Sequence, residues 1–308
     1  MSMSQADTAT RLFPLICDDL GLVTQQSKNR LRVCELPLAQ WIYGRQRGRA
    51  EALVVGVNGP QGCGKSTTVA SLKTLLETYY GLRVAIVSID DFYLTRAERQ
   101  LLGQTVHPLL VTRGVPGTHD MDLAMRSLAL LSSNASGTVA VPLFDKAIDD
   151  RMPESRWPQF VMPIDVILFE GWCVGAMPEP EQALATPRNE LEADEDHDGT
   201  WRQYVNLSLA AGYRDLFDRL DALILFSCGD FSWVYDWRRQ QEQDNAARAQ
   251  ARAGMTTAIM NDAQLKRFVL HYERITTHCQ RVLPELADVV VPLSKSRQVA
   301  ALRWRQNE

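Results

Sequence analysis

The sequence has no long apolar run, no cysteine framework and no large net charge. No stretch of the 308 residues approaches the ~18 apolar residues that a membrane helix needs, so we predict no membrane span. The six cysteines form no C-x-x-C pair, which argues against a disulfide framework or a zinc site and for reduced thiols. The first residues have neither a basic start nor an apolar core, so we expect no targeting peptide and a soluble, cytoplasmic protein.

The near balance of charges argues against one class of partner. Lys and Arg number 33 and Asp and Glu number 37, which gives a formal net charge of −4. A protein that binds a polyanion by its phosphates needs a basic surplus or a basic stripe, and this chain shows neither. We therefore expect no nucleic-acid partner.

What the sequence does contain is an alternation of apolar strands with helical patterns. At 45% hydrophobic and 23% charged residues it has the composition of an ordered globular protein. Almost purely apolar strands are typical of a sheet covered on both faces by helices. The sequence therefore predicts an α/β fold with a mainly parallel central sheet. The expected strands are 52–57, 83–89, 138–143, 166–169, 221–226 and 288–293.

Two flanking features define the expected organisation. Residues 8–50 have apolar positions at helical spacing, so we expect a helical N-terminal extension over 1–50 followed by one domain over 51–308. Residues 177–200 are rich in Pro and acid and poor in large apolar residues, which predicts an exposed, mobile insertion.

The segment from Gly59 to Ser66 fits the phosphate-loop pattern G-x-x-x-x-G-K-[ST]. It follows a predicted buried strand and precedes a predicted helix, which is the context that this pattern requires. Its glycines allow backbone N–H groups to point at a triphosphate, Lys65 would reach the β- and γ-phosphates, and the Ser66 hydroxyl would bind Mg²⁺. The expected nucleotide-binding residues are Gly59, Gln61, Gly62, Cys63, Gly64, Lys65, Ser66 and Thr67.

Carboxylates end two further predicted strands. Asp90 and Asp91 follow one strand and Glu170 follows another, and ligands of parallel sheets bind at such carboxyl ends. An acidic pair at a strand end also fits a helix N-cap, but beside a nucleotide loop we favour a role in phosphoryl transfer. We predict Asp90 as the base for a substrate hydroxyl, and Ser66, Asp91 and Glu170 as Mg²⁺ ligands, with Asp91 able to exchange roles.

Further along the chain, the sequence predicts a lid helix over 231–254 that carries several arginines. Arg238 and Arg239, flanked by aromatic residues, are expected to offset the charge of the transferring phosphate, whereas Arg248 and Arg252 fit an ordinary surface helix. On the substrate side, cations on separate loops favour an anionic acceptor. His119 lacks a partner at metal spacing, so a hydrogen-bonded loop histidine is the simpler interpretation. The cations are Arg113, Lys146 and Arg151.

Taken together, these segments resemble the P-loop D-glycerate 3-kinases, relatives of uridine kinase, pantothenate kinase and phosphoribulokinase. The resemblance covers roughly residues 50–293. It implies a three-layer α/β/α sandwich of the P-loop NTPase class with strand order 2-3-1-4-5, and ATP-dependent phosphorylation of D-glycerate at its 3-hydroxyl. It also implies a substrate loop containing Arg113 and Asp120. The matching segments are GPQGCGKST (59–67), SIDDFYLT (88–95), RGVPGTHD (113–120), PLFDK (142–146), FEGW (169–172), VYDWRRQQE (234–242) and MNDAQLKRFVLHYERIT (260–276).

The candidate substrate residues are then Asp90, Tyr93, Arg113, His119, Asp120, Lys146 and Arg151. One departure concerns the acceptor pocket, because the family usually has a longer glycine-containing stretch where this chain has the compressed FDKAIDDR. Two alternatives therefore stay open. The first is a kinase for another hydroxylated metabolite, such as a nucleoside, pantothenate or a sugar phosphate. The second is a non-enzymatic protein that uses ATP as a switch.

Overall fold

The computed structural model describes residues 13–253 and 260–306, with side chains described outside 245–253. Its strands are β1 (Leu53–Asn58), β2 (Val84–Ser88), β3 (Gly137–Ala140), β4 (Phe144–Asp145), β5 (Asp150–Arg151), β6 (Gln159–Met162), β7 (Val166–Gly171), β8 (Ala222–Cys228), β9 (Val289–Leu293) and β10 (Arg303–Trp304). Its helices are α1 (Gln25–Arg30), α2 (Leu36–Gln46), α3 (Lys65–Tyr80), α4 (Arg96–Thr105), α5 (Met121–Ser132), α6 (Glu190–Glu195), α7 (Thr200–Ser208), α8 (Arg214–Phe217), α9 (Ser232–Ala253) and α10 (Asp262–Leu286). A π-helical turn, Leu31–Glu35, joins α1 to α2.

The central sheet has six strands in the order β10-β9-β8-β1-β7-β2. The five strands from β9 to β2 are parallel, and only β10 runs antiparallel to its neighbour. Buried clusters cover both faces of the sheet. The expected α/β fold and the strand order 2-3-1-4-5 are therefore both confirmed.

One predicted strand is wrong in its placement. The segment expected over 138–143 forms β3, which pairs antiparallel with β6 in a separate two-stranded sheet. Its residues are exposed or only partly buried. A strand with a solvated face has no place in the interior of a parallel sheet that is covered on both sides.

The N-terminal helices share the core of the sheet. Leu31, Leu38 and Ile42 are fully buried in the same cluster as Leu53 of β1 and Leu72 of α3. The helical segment predicted over 8–50 is thus present from residue 13 onward, and it packs as part of one core. The part of that prediction over 8–12 lies outside the described residues.

Most residues of the acidic segment 177–200 are exposed, but buried side chains such as Leu191 join the segment to the core. It contains α6, and the side chains of Glu192 and Asp196 are fully buried. Glu192 forms an ion pair with Arg274 of α10 at 2.6 Å, and Asp196 forms one with Arg202 of α7 at 2.8 Å. Burial of a carboxylate is tolerated when a charged partner compensates it, and composition alone does not reveal such partners.

Candidate active site

The phosphate loop lies between β1 and α3, at the carboxyl edge of the sheet. Gly62 and Gly64 have φ values of +73° and +97°, a region that favours glycine. A Cβ on Gly62 would lie 2.8 Å from the backbone of Trp237 in α9, so this position also needs glycine for space. Gly64 caps α3 in the left-handed conformation, and the N-terminus of this helix faces the loop that would hold phosphate.

Lys65 is buried beneath this loop. Its ammonium donates to the carbonyl oxygens of Gly59 at 2.6 Å and Pro60 at 3.1 Å. The charge is thus held by backbone oxygens at the place where a triphosphate would lie. Cys63 is also fully buried, which suits a small side chain that fills space in the loop.

Ser66 and Glu170, two of the predicted Mg²⁺ ligands, lie side by side. The Ser66 hydroxyl donates to Oε1 of Glu170 at 3.1 Å, which places a hydroxyl and a carboxylate from two elements side by side. Such oxygens suit Mg²⁺, which usually takes one or two protein ligands and the rest from phosphates and water. Among the described residues, no group of three or more His, Cys, Asp or Glu side chains is placed to hold a metal.

Asp91, the third predicted metal ligand, does not line the cleft. Its Oδ1 accepts from the backbone N–H of Phe144 at 3.2 Å. Burial raises the pKa of Asp91 to about 6, and the neighbouring carboxylates of Asp90 and Glu170 add to the shift. Its contacts support the hairpin of β4 and β5 rather than a direct place among metal ligands.

Asp90 is held by two donors. Its Oδ1 accepts from the Tyr93 hydroxyl at 2.9 Å, and its Oδ2 accepts from the Lys146 ammonium at 2.5 Å. Burial acts to raise the pKa of Asp90, but the Lys146 charge outweighs it and holds the pKa well below its usual range. The carboxylate is therefore ionised at neutral pH and faces the cleft.

Arg113 lies beside this pair. Its guanidinium forms an ion pair with Asp149, in the turn between β4 and β5, and donates to the backbone oxygen of Lys146 at 3.4 Å. Arg113 and Lys146 thus bring two cations to the same side of the cleft as Asp90. This cluster thus brings three of the predicted substrate residues into one cleft.

Three predicted substrate residues are not brought into the cleft. His119 is buried, stacks on Tyr93 at 4.4 Å between ring centroids and contacts the Tyr213 hydroxyl through Nδ1 at 2.5 Å. Asp120 caps α5 and pairs with Arg151 at 3.3 Å, while Arg151 also donates to the Tyr93 carbonyl at 2.9 Å. The structure therefore places these side chains beside Tyr93 and outside the lining of the cleft.

The two lid arginines point in different directions. Arg238 lines the cleft, forms an ion pair with Glu242 and lies 5.0 Å from the ring centroid of Phe268. Arg239 is half exposed outside the cleft and pairs with Asp236 at 3.5 Å. Adjacent positions on an α-helix point about 100° apart, so only one of the two reaches the site. The side chains of Arg248 and Arg252 lie outside the described part.

The whole cleft has a volume of about 340 Å³. It contains most of the predicted nucleotide residues and several residues to which no role was predicted: Trp172, Gln241, Asp244, Phe268, Tyr272 and Arg297. Trp172 and Tyr272 lie in the family segments FEGW and MNDAQLKRFVLHYERIT. Membership in these segments was the only feature of the sequence that pointed to them as site residues. Tyr272 donates to the carbonyl of Arg113 at 3.2 Å, and Trp172 donates to that of Gly114 at 3.1 Å.

Comparisons with known proteins agree with this geometry. The chain is 33% identical to the uncharacterized kinase mug58 of Schizosaccharomyces pombe, over 76% of this chain and 83% of that protein. It is 37% identical to the chloroplastic D-glycerate 3-kinase of Arabidopsis thaliana, over 68% of this chain but only 45% of that protein. The structure of a D-glycerate 3-kinase from Cryptococcus neoformans matches with a TM-score of 0.71 and 27% identity, over 88% of this chain and 99% of that one. No family model matches the sequence.

A phosphate loop after the first strand of a parallel sheet, with carboxylates at the ends of two other strands, defines a P-loop kinase fold and site. The protein is thus an ATP-dependent phosphotransferase that acts on a hydroxyl. The relatives narrow this class further. The chain belongs to the P-loop D-glycerate 3-kinase family.

Among the described helices, none combines the length and the apolar character that a membrane span requires.

Proposed function

We propose that this chain transfers the γ-phosphate of ATP to the 3-hydroxyl of D-glycerate. The observation that carries the proposal is one cleft in which a phosphate loop faces an ionised carboxylate and two cations. Lys65 represents the phosphate loop on the donor side. Asp90 is the carboxylate, and Arg113 and Lys146 are the two cations, on the acceptor side. A neutral nucleoside would leave the two acceptor-side cations unused, whereas a small carboxylate pairs with them.

The chemistry follows from this placement. The glycerate carboxylate would pair with Arg113 and Lys146, so that its 3-hydroxyl lies at Asp90. The hydroxyl oxygen bonds to the γ-phosphorus while the bond from that phosphorus to the β–γ bridging oxygen breaks, which leaves ADP. The hydroxyl proton passes to Asp90. Phosphoryl transfer depends mainly on positioning and charge, so a weak base is enough.

Lys65 and Arg238 would offset charge on the donor during this step. Lys65 would exchange the carbonyls of Gly59 and Pro60 for phosphate oxygens, and Arg238 faces the same cleft from α9. Mg²⁺, held by Ser66 and Glu170, would neutralise the β- and γ-phosphates.

We further propose that the protein works in a reducing compartment such as the cytoplasm, since the cysteines of the described residues are unpaired.

The direct test is an ADP-release assay with MgATP and a panel of acceptors: D-glycerate, L-glycerate, uridine, pantothenate and ribulose 5-phosphate. We expect turnover with D-glycerate and none in Lys65→Ala. Arg113→Gln should raise KM for D-glycerate at least about tenfold, the cost of losing a charged hydrogen-bonded partner. Arg156→Gln, an exposed arginine outside the cleft, serves as the matched control.

Two results would contradict the proposal. Turnover with a different acceptor would show that the compressed loop after Lys146 has changed the substrate. Nucleotide binding with no turnover on any acceptor would instead favour the switch protein.

A further inference from the structure

The turn between β4 and β5 contains an aspartate in an unusual backbone conformation. Asp149 has a φ of +57°, in the left-handed region that favours glycine. Aspartate is one of the few other residue types that adopt this region, because its short polar side chain can bond locally. The segment FDKAIDDR contains no glycine that could take this place in the turn. The turn therefore holds a carboxylate at a position where glycine would cost less free energy.

One oxygen of this carboxylate joins two arginines from different elements. Oδ1 of Asp149 pairs with Nη2 of Arg99 in α4 at 3.0 Å and with Nη1 of Arg113. Both guanidinium groups also lie near the ring of Phe144, at 5.8 and 5.5 Å from its centroid. Arg99 is fully buried, whereas Arg113 lines the cleft and Asp149 does not. Asp149 therefore acts on an acceptor only through Arg113 and through its own charge.

The charges on the acceptor side leave a single positive charge. Three cations and two carboxylates form this group, while Arg151 and Asp120 beside it pair with each other and cancel. One carboxylate on the acceptor balances the remaining charge, whereas a phosphate ester carries close to two negative charges at neutral pH. Without Asp149 the group would have two positive charges. Its members are Arg99, Arg113, Lys146, Asp90 and Asp149.

We propose that Asp149 makes the acceptor site selective for hydroxy acids with one carboxylate, by lowering the positive charge of the site from two to one. The inference rests on the proposed function, because it takes the side of Arg113 and Lys146 as the acceptor side. Such selectivity excludes a competitor by its charge and adds no contact to the substrate. Asp149 is thus a positioning and specificity residue, and sugar phosphates and hydroxy dicarboxylates are poor acceptors.

Two small acids that lack the 3-hydroxyl of glycerate test this dependence on charge without phosphoryl transfer. D-lactate has one carboxylate and tartronate has two. Their Kd values are measured by ligand-observed NMR titration of the full chain, with ADP present to fill the phosphate loop and without Mg²⁺, which dicarboxylates chelate. Asp149→Asn keeps the size of the side chain and tolerates the left-handed φ, and the ratio of the tartronate Kd to the D-lactate Kd should fall about tenfold.

Asp145→Asn is the matched control. It removes one carboxylate from the same hairpin, but this carboxylate accepts from the backbone N–H of Ala147 and does not line the cleft. The ratio of the two Kd values should stay within about twofold of native. An equal fall in Asp145→Asn and Asp149→Asn would overturn the inference, because any carboxylate of the hairpin would then have the same effect.

A ratio in Asp149→Asn within about twofold of native would also overturn it. Arg99 keeps three backbone carbonyls as acceptors in this variant, so we expect it to fold. If it does not, Asp149→Gly removes the same charge with a residue that favours this φ, and the same ratio decides. Turnover of D-glycerate by the native chain is measured separately, so its absence would contradict the proposed function and an unchanged ratio would contradict only the role of Asp149.

Discussion

Replacement of Lys146 by methionine should give turnover a new acidic limb. In the native protein the Lys146 ammonium keeps Asp90 ionised, so the predicted base is ready throughout the neutral range. Without that charge, burial is no longer offset, and the pKa of Asp90 rises from its depressed value toward the ordinary one. Below the new pKa the base is protonated and turnover falls.

The size of the shift follows from the contact. At the 2.5 Å between Nζ and Oδ2, Coulomb's law with an effective dielectric constant of about 20 gives about 7 kcal/mol. The Lys146 side chain is 58% exposed, so solvent screens more than half of this attraction. We expect about 2–3 kcal/mol, or roughly two pKa units.

The assay is kcat at saturating D-glycerate between about pH 3.5 and 9, so that weaker substrate binding does not enter. The native protein should show no limb from Asp90 in this range, and Lys146→Met should lose turnover below about pH 4. Lys146→Arg keeps the charge and should follow the native profile. If the profiles of Lys146→Met and the native protein superimpose, the ion pair does not control the base.

Three further predictions concern the surrounding structure. Arg274→Met leaves the buried carboxylate of Glu192 unpaired and should lower the free energy of unfolding by about 3–5 kcal/mol in urea titration, whereas a loss under about 1 kcal/mol would contradict a buried ion pair. Gly62→Ala forces a strained φ and a contact with the backbone of Trp237, so the Kd of ADP should rise at least about tenfold; an unchanged Kd would show that the loop adapts. Arg239→Ala should keep kcat and KM within about twofold of native, because its side chain lies outside the cleft, and a larger loss of turnover would mean that α9 rearranges on binding.

The sequence was most informative where function depends on the backbone. The loop from Gly59 to Ser66 and the strand ends at Asp90 and Glu170 are local patterns, and they predicted both the sheet edge and the residues that meet there. Parallel strands all end at one edge, so their order along the chain was enough to bring these residues together.

Side-chain direction and long-range pairing were not predictable in this way. Arg238 and Arg239 are adjacent in the same motif, and only the rotation of α9 separates their environments. Arg151 ends the segment FDKAIDDR, which was predicted to line the acceptor pocket, but its side chain contacts Asp120 and the Tyr93 backbone. The fully buried Glu192 depends on an arginine 82 residues away, which local composition does not reveal.

The sheet order also has a consequence for how the nascent chain folds. β1 and β2 are consecutive in sequence but are not neighbours, because β7 lies between them and pairs with both through Val166. The other edge of β1 gains its partner later in the sequence, because Val55 pairs with Ala222 of β8. During synthesis the strand that leads into the phosphate loop therefore has two unpaired edges until residue 171 is made, and one until residue 228. The strand that leads into the phosphate loop thus waits longest along the chain for both of its neighbours, and during that time its edges are exposed to aggregation.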